Sequence, residues 1–500
     1  MESAGSVRGS MHCFDNCMKN EYNGFRPTHS GQKVPILDTL PSPVKFFRDY
    51  VLTRTPVVIN ATLPDKEWRG STWTVDALAK KDGMDAEVEV EQRTIPGTFG
   101  LSAPKIRMPF AKFLAKVGQG STEYYITTQE IAEDEEGLPS ALYSSPLTEL
   151  RQDFPLVPHL LGNLIPSNIN VWMGNSPEGS CSGLHHDFHD NLYIVVRGRK
   201  VFDLYSPGDA EHMYLHGELA RVHPNGLINY EGTQNVTRED GVPYALVADK
   251  MKESVEHGIL ELEKKIHEAK GKGENEENIA AMEEELEKLE SHLDAYLDCD
   301  MSIGEGDLAS EDEEEDDEPG GEEGEDDEED GCDGEEDDEG SDGTTSDTGK
   351  IGVAIIPEER KRKLEDEGGS LSFPSTKKRK VAGEQSAPDH FSKIDLKNLK
   401  GSDIERKFPS FLNAKRMVCQ VQEGQMLFLP ASWFHNVTSY NREVEGAKDA
   451  KDNHQCHIAF NYWTHPPSGV KFEKPYVDDF WQQRFQKCQS ASSSSSSNSD

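Results

Sequence analysis

A mainly β fold, an antiparallel sandwich or barrel with helical decoration, is what the sequence predicts, on three observations. Short apolar runs of strand length recur through the first half and again near the C-terminus, each bounded by Gly, Pro or Asn. Outside the middle of the chain, helical periodicity falls mainly at the front. The two strand-rich stretches are separated, from about 246 to 408, by a segment of different composition.

Taken in order, Phe46-Phe47-x-x-Tyr50-Val51 has the spacing of an amphipathic helix, and Pro56-Val57-Val58-Ile59 that of a short buried strand. Alternation in Ala86–Val90 predicts a half-exposed strand, Phe110-x-x-Phe113-Leu114 a helix, and Glu123–Thr128 another strand. Asn168–Met173, Asn191–Val196 and Lys200–Tyr205 follow, the last two joined by Arg197-Gly198-Arg199, which has the chemistry of a hairpin turn. Met417–Val421, Met426–Leu429 and His457–Trp463 resume the pattern.

Composition says where no core can form. The 500 residues carry 52 Lys or Arg against 93 Asp or Glu, a formal charge of −41. Residues 301–350 hold 26 Asp or Glu and one Lys, which is −25 of that total. Self-repulsion there precludes packing, and the rest of the chain is only mildly acidic. Nucleic-acid binding through bulk charge is excluded, because the net field repels phosphate. The first residues contain no apolar run, so no secretory signal is expected, and nothing approaches the roughly 18 apolar residues of a membrane span. Eight Cys without a CxxC pair read as reduced intracellular thiols. His12, Cys13 and Cys17 lack a second ligand pair nearby, so no metal site is expected there.

The expected organisation is a flexible tail over 1–33, the first part of the core over 34–245, and a helical hairpin over 246–300. Leu260, Leu262 and Ile266 would face Met282, Leu286, Leu289 and Leu293 along the seam of that hairpin. The acidic tract (301–350), a basic linker (351–408), the second part of the core with a C-terminal helix (409–486) and a Ser-rich tail (487–500) complete the chain. So long an excursion is an insertion at the tip of a hairpin, which loop-closure entropy tolerates. Its clusters at 360–363 and 377–380 resemble nuclear import signals, and the acidic tract suits histones or other basic partners.

The chemistry concentrates in Gly183-Leu-His-His-Asp-Phe-His-Asp-Asn-Leu-Tyr193. On a strand, His185 and Asp187 point the same way about 7 Å apart, so an imidazole and a carboxylate can grip neighbouring positions of one metal ion. The best third ligand is His435, where a strand ends in Pro430 and a turn follows. Two His and one carboxylate form the facial triad of non-haem Fe(II) oxygenases. His186 should face the opposite side, and His189 remains a rival ligand. Against this stands the plain alternative of hydrogen-bonded core histidines.

Leu184-His-x-Asp with Asn191-Leu-Tyr193, Gly-x-Lys200, Leu429-Pro-x-x-Trp433-x-His435 and Asn461-Tyr-Trp463, in that order, resemble the Jumonji-C (JmjC) oxygenases, closest to their small cupin-like hydroxylase branch. The resemblance covers about 34–245 and 410–470. It implies a double-stranded β-helix (cupin, or jelly-roll) core, with His185, Asp187 and His435 as the iron ligands. It further implies that Lys200 pairs with the distal carboxylate of 2-oxoglutarate, Tyr125 joins that lysine, and Asn191, Asn461 and Trp463 line the cosubstrate pocket. Fe(II), 2-oxoglutarate and O2 are then expected, with succinate and CO2 as coproducts. The Asp ligand and the absence of a reader module favour hydroxylation of a protein side chain, lysyl first, over histone lysine demethylation. A catalytically idle scaffold holding basic partners is the reading from a different class. In this family a C-terminal helix such as the one marked by Trp481 and Phe485 often builds a homodimer face; otherwise it caps the sheet.

Overall fold

The computed structural model describes residues 19–93, 97–99, 104–232, 236–272, 278, 279, 282, 283, 286, 387–442 and 456–494. The chain divides into two compact units, one of Met1–Val247 with Gly383–Asp500 and one of Ala248–Ala382. Numbered in chain order, the strands of the first unit begin with β1 (Lys19–Asn20), β2 (Gln32–Lys33), β3 (Ile36–Leu37), β4 (Val57–Ile59), β5 (Glu87–Gln92) and β6 (Lys105–Pro109). Then come β7 (Tyr124–Ile126), β8 (Pro166–Gly174), β9 (Ser180–Cys181), β10 (Asp190–Arg197), β11 (Arg199–Tyr205) and β12 (Leu219–Val222). The last are β13 (Ile228–Tyr230), β14 (Met417–Gln422), β15 (Met426–Leu429), β16 (Phe434–Tyr440) and β17 (His457–Thr464).

Two large sheets hold the site. One has nine strands in the order β3-β4-β15-β10-β17-β8-β7-β5-β6, the other five in the order β2-β14-β11-β16-β9. Strand β10 shows why the first of these is central. Leu192, Ile194 and Val196 point into a core shared with Phe46, Phe110, Phe113 and Leu114 of the front helices. Tyr193 and Val195 point the other way, onto Phe202, Leu204, Met417 and Val421 of the five-stranded sheet. A strand covered on both faces reads as a continuous apolar run, which is how Asn191–Val196 looks in sequence. This is the double-stranded β-helix expected of a cupin-like core.

The expected hairpin between β10 and β11 does not form. The two strands lie in different sheets, because β10 pairs with β15 and β17 while β11 pairs with β14 and β16. Gly198 is therefore a corner between sheets. Its φ of 80° is in the left-handed region, and an added Cβ would lie 2.4 Å from the Tyr440 carbonyl oxygen, so only glycine fits.

The long excursion does not leave directly from a hairpin of the large sheets: β11 and β14 pair, Leu204 opposite Met417, but β12 and β13, in a separate three-stranded sheet with β1, lie between β11 and residue 246. Its limits differ from expectation at three places. Residues 19–33 are part of the fold rather than a tail: Lys19 and Asn20 pair with Arg221 and Val222, Tyr22 is buried, and Gln32 and Lys33 pair with β14. Residues 387–408 are not linker, because Phe391 and Ile394 are buried in the first unit. The C-terminal helix runs over Phe480–Ser494, into the expected Ser-rich tail, and its Cys488 is buried.

In the second unit, the helix Tyr244–Lys272 carries buried Leu262 and Ile266, but Leu260, expected at the seam, is exposed. Lys270 forms an ion pair with Glu283 at 2.7 Å. Leu289, Leu293, the acidic tract, both basic clusters and the His12, Cys13, Cys17 group lie outside the described residues. Among the described residues, no helix is long and apolar enough to cross a membrane.

One buried ion pair ties the parts together. Arg54, just before β4, grips Asp190 at the start of β10 through both guanidinium nitrogens, and both residues are buried. Asp190 also accepts the Ala431 N–H at 2.8 Å, four residues before His435. Removing the acid leaves a buried guanidinium without its counter-ion. Asp190→Ala is expected to lower unfolding stability by about 3–5 kcal/mol, as measured by urea denaturation of the full chain at neutral pH.

Candidate functional site

The site is built where the two halves of the chain meet. His185 is not on a regular strand; it forms a one-residue antiparallel bridge with His435. The His435 N–H donates to the His185 carbonyl at 2.7 Å, and the His185 N–H returns a bond to the His435 carbonyl at 3.1 Å. Ser432 N–H donates to the Asp187 carbonyl at 2.7 Å. All three expected ligands are thus pinned through their own backbones. The backbone is irregular at Asp187, yet its carboxylate reaches the same place that strand alternation suggests.

His185, Asp187 and His435 each offer one ligand atom, and the three atoms lie within 4.8 Å of one another. His435 Nε2 is 3.5 Å from Asp187 Oδ2, and the two imidazole centroids are 4.3 Å apart. Each ring is oriented by a carbonyl: His185 Nδ1 meets Gly183 O at 3.0 Å, and His435 Nδ1 meets Trp433 O at 2.8 Å. A carbonyl only accepts, so both Nδ1 atoms carry the proton and both Nε2 atoms present lone pairs. Desolvation, helped by the neighbouring His435, pushes the His185 imidazole down to about 3, so it is neutral at pH 7. Two imidazoles and a carboxylate converging on one point are the donor set that Fe(II) takes with positions left open.

The residues expected to hold a cosubstrate fall into separate contacting sets: Lys200 with Tyr125, Asn191 with Asn461, and Trp463 with His189. Lys200 on β11 is buried, with Nζ 3.4 Å from the Tyr125 hydroxyl and 5.2 Å from the Tyr193 ring centroid. Desolvation, then the field of Arg93, lowers its ammonium to about 7. No acid faces this lysine among the described residues, so the pocket is arranged for an anion. Tyr125 is buried in the same space, and Gly174 makes room for its ring: an added Cβ would come within 2.6 Å of Tyr125 Cδ2. Tyr124 points to the other face, under the Lys116 ammonium, so it is the spare of the pair. Asn461 donates to Asn191 at 3.0 Å and accepts from Trp172 Nε1 at 3.2 Å. Trp463 stacks on His189, with centroids 5.6 Å apart and planes 11° apart.

His189 is not a ligand here. Its Nε2 lies 3.0 Å from Ser167 Oγ, and it is absent from the converging cluster. His186 is buried as a core histidine, accepting from the Tyr230 hydroxyl at 2.6 Å and stacked on that ring. Trp481 stacks on His465 and donates to the Asp240 carbonyl at 3.0 Å.

Sequence reasoning missed two contributors. Phe391 stacks on the His185 ring, with centroids 4.8 Å and planes 10° apart, and bridges its backbone. It sits at the far end of the excursion, in a stretch whose only signal is His390-Phe391-x-x-Ile394 within polar sequence. His457, on β17, lies beside Tyr125 and was read only as the start of an apolar strand.

Fold and site together define a cupin-like architecture with a candidate metal site. A cupin-like domain family matches residues 43–469. JmjC domain-containing protein 4 of Schizosaccharomyces pombe is 33% identical over 487 residues, spanning 92% of this chain and 91% of that protein. The chain belongs to the cupin-like JmjC family, whose members generally use Fe(II), 2-oxoglutarate and O2. The human bifunctional peptidase and (3S)-lysyl hydroxylase JMJD7 is 29% identical, over 35% of this chain and 55% of its own length. The lysine-specific demethylase JMJ32 of Arabidopsis thaliana is 27% identical, over 40% of this chain and 58% of its own length.

Substituting His185, Asp187 or His435 by Ala should each abolish tight binding of a divalent ion by the folded chain, measured by titration calorimetry, whereas His189→Ala should retain it. A second expectation concerns pH. Burial holds His186, His457 and His465 well below the ordinary imidazole value. Below about pH 6.5 the unfolded chain binds protons at these positions that the folded chain does not. Stability present above that pH is therefore lost as pH falls, by about 1.4 kcal/mol per unit for each such group. Melting temperatures across pH 7.5 to about 5 check the slope.

Proposed function

We propose that this chain is an Fe(II)- and 2-oxoglutarate-dependent oxygenase that hydroxylates a protein side chain, a lysyl residue first. The observation that carries it is the convergence of two carbonyl-oriented imidazoles and a carboxylate at one point, with a buried, acid-free lysine in the same barrel. Bound Fe(II), 2-oxoglutarate and O2 would supply an oxidant able to replace hydrogen at an unactivated carbon, with succinate and CO2 as coproducts.

The protein's own residues have three tasks. His185, Asp187 and His435 hold the ion, and their reciprocal backbone bonds keep the set together without it. Lys200 and Tyr125 would receive the distal carboxylate, and Asn191 and Asn461 would line the same pocket. Phe391 covers one face of His185 and excludes water from it.

The lysyl choice rests on the Asp ligand and on the similarity to the human (3S)-lysyl hydroxylase. The Arabidopsis relative supports the second reading, lysine demethylation. Purified chain with Fe(II) and 2-oxoglutarate should form succinate in the presence of an accepted peptide. A gained oxygen on an unmodified lysyl peptide supports hydroxylation, and a lost methylene from a methyl-lysyl peptide supports demethylation. Turnover undiminished in Asp187→Ala would count against both.

A further inference from the structure

Strand β17 turns every second side chain toward the space between the two large sheets, beginning with His457 and continuing through Ala459, Asn461 and Trp463. Ile458, Phe460 and Tyr462 face the opposite core. Along this inner row Asn461 meets Asn191 and Trp172, and Trp463 meets His189. His457 meets no polar partner. It is fully buried, and neither Nδ1 nor Nε2 makes a hydrogen bond among the described residues.

A buried imidazole has one N–H that needs an acceptor and one lone pair that needs a donor, and leaving them unmet is costly. The surroundings say what is missing. The His457 ring lies 5.3 Å from that of Tyr125, inclined at 34°. The charges acting on it are those of Lys200 and then Arg93. Arg93 lies over the Tyr125 ring, with its guanidinium carbon 5.0 Å from the centroid. An acceptor welcome beside two cations and a phenol is an anion. Ser439, opposite Lys200 in the register of β16, adds a buried hydroxyl to the same floor.

We propose that His457 is a third binding residue for the distal carboxylate of a 2-oxo dicarboxylate, donating its N–H alongside the Lys200 ammonium and the Tyr125 hydroxyl. This rests on the oxygenase reading above and extends it to a residue outside the expected set. The ligand class follows from the layout: one carboxylate on the floor, and a keto acid at the far end facing the His185, Asp187 and His435 cluster. A monocarboxylate keto acid would leave the floor donors unmet and should bind poorly.

The test is calorimetric titration of 2-oxoglutarate into the full-length chain loaded with Zn(II), which binds without turnover. His457→Leu keeps a similar volume but removes both nitrogens. It is expected to weaken 2-oxoglutarate roughly tenfold to a hundredfold, the range for a hydrogen bond to a charged group. Melting of the ligand-free chain should stay the same or rise, because an unmet polar group has been removed. His457→Gln, which retains an N–H, should recover most of the affinity. Pyruvate should bind the wild-type chain and the leucine variant alike.

If His457→Leu binds 2-oxoglutarate as wild type does while Lys200→Met does not, His457 is a packing residue and the oxygenase reading stands. If the Zn(II)-loaded wild-type chain binds no 2-oxoglutarate, both fall. Should the leucine variant fail to fold, the imidazole nitrogen resonances of His457 in the wild-type Zn(II) protein decide. A shift on adding 2-oxoglutarate, absent with pyruvate, supports the proposal; no shift overturns it.

Discussion

The two hydrogen bonds between His185 and His435 are the constraint on which the rest of the site depends. They join residues 250 positions apart in sequence and place both imidazoles before any ion arrives. Side chains alone could not do this, since an imidazole on a free loop samples several rotamers and loses that freedom on binding. With Ser432 N–H on the Asp187 carbonyl, the triad is a backbone construction whose side chains follow. Phe391 extends it by bridging His185 from the other side, so three separate stretches of chain meet at one residue.

Charge inside the barrel is handled in two ways. Arg54 and Asp190 satisfy each other, with Ala431 taking up a remaining acceptor site, and that pair is structural. Among the described residues Lys200 meets the Tyr125 hydroxyl and no acid, and His457 makes no hydrogen bond. Buried polar groups are normally satisfied, and an imidazole with both nitrogens unmet is the kind of group that a ligand can complete. Desolvation also holds the His185 and His457 imidazoles below their ordinary value.

The return segment of the long excursion is continuous with the site rather than hung from it. It supplies Phe391 and pairs backbone with Leu184 and Tyr214, through Ser392 and Lys393. This explains why residues 387–408 are ordered against the core despite a composition that reads as linker. Short polar stretches that complete a sheet edge gain their stability from hydrogen bonds to a preformed partner, and no local periodicity reports that.

Much of this protein is legible without coordinates. Strand positions follow from apolar runs such as Val57–Ile59 and Leu192–Val196, because burial on both faces demands them. The ligand types in Leu184-His185-x-Asp187 and Trp433-x-His435 follow from the chemistry of their side chains. Tertiary structure decided what local sequence cannot encode. Arg197-Gly198-Arg199 turns between sheets rather than within one, since the neighbours of β10 and β11 were already taken by strands far away in sequence. His189 was separated from the metal cluster by a serine 22 residues upstream. His457 became a pocket residue only because β17 lies beside β8, which carries Gly174 and thereby the ring of Tyr125. Periodicity determines which face a residue takes; long-range pairing determines what that face meets.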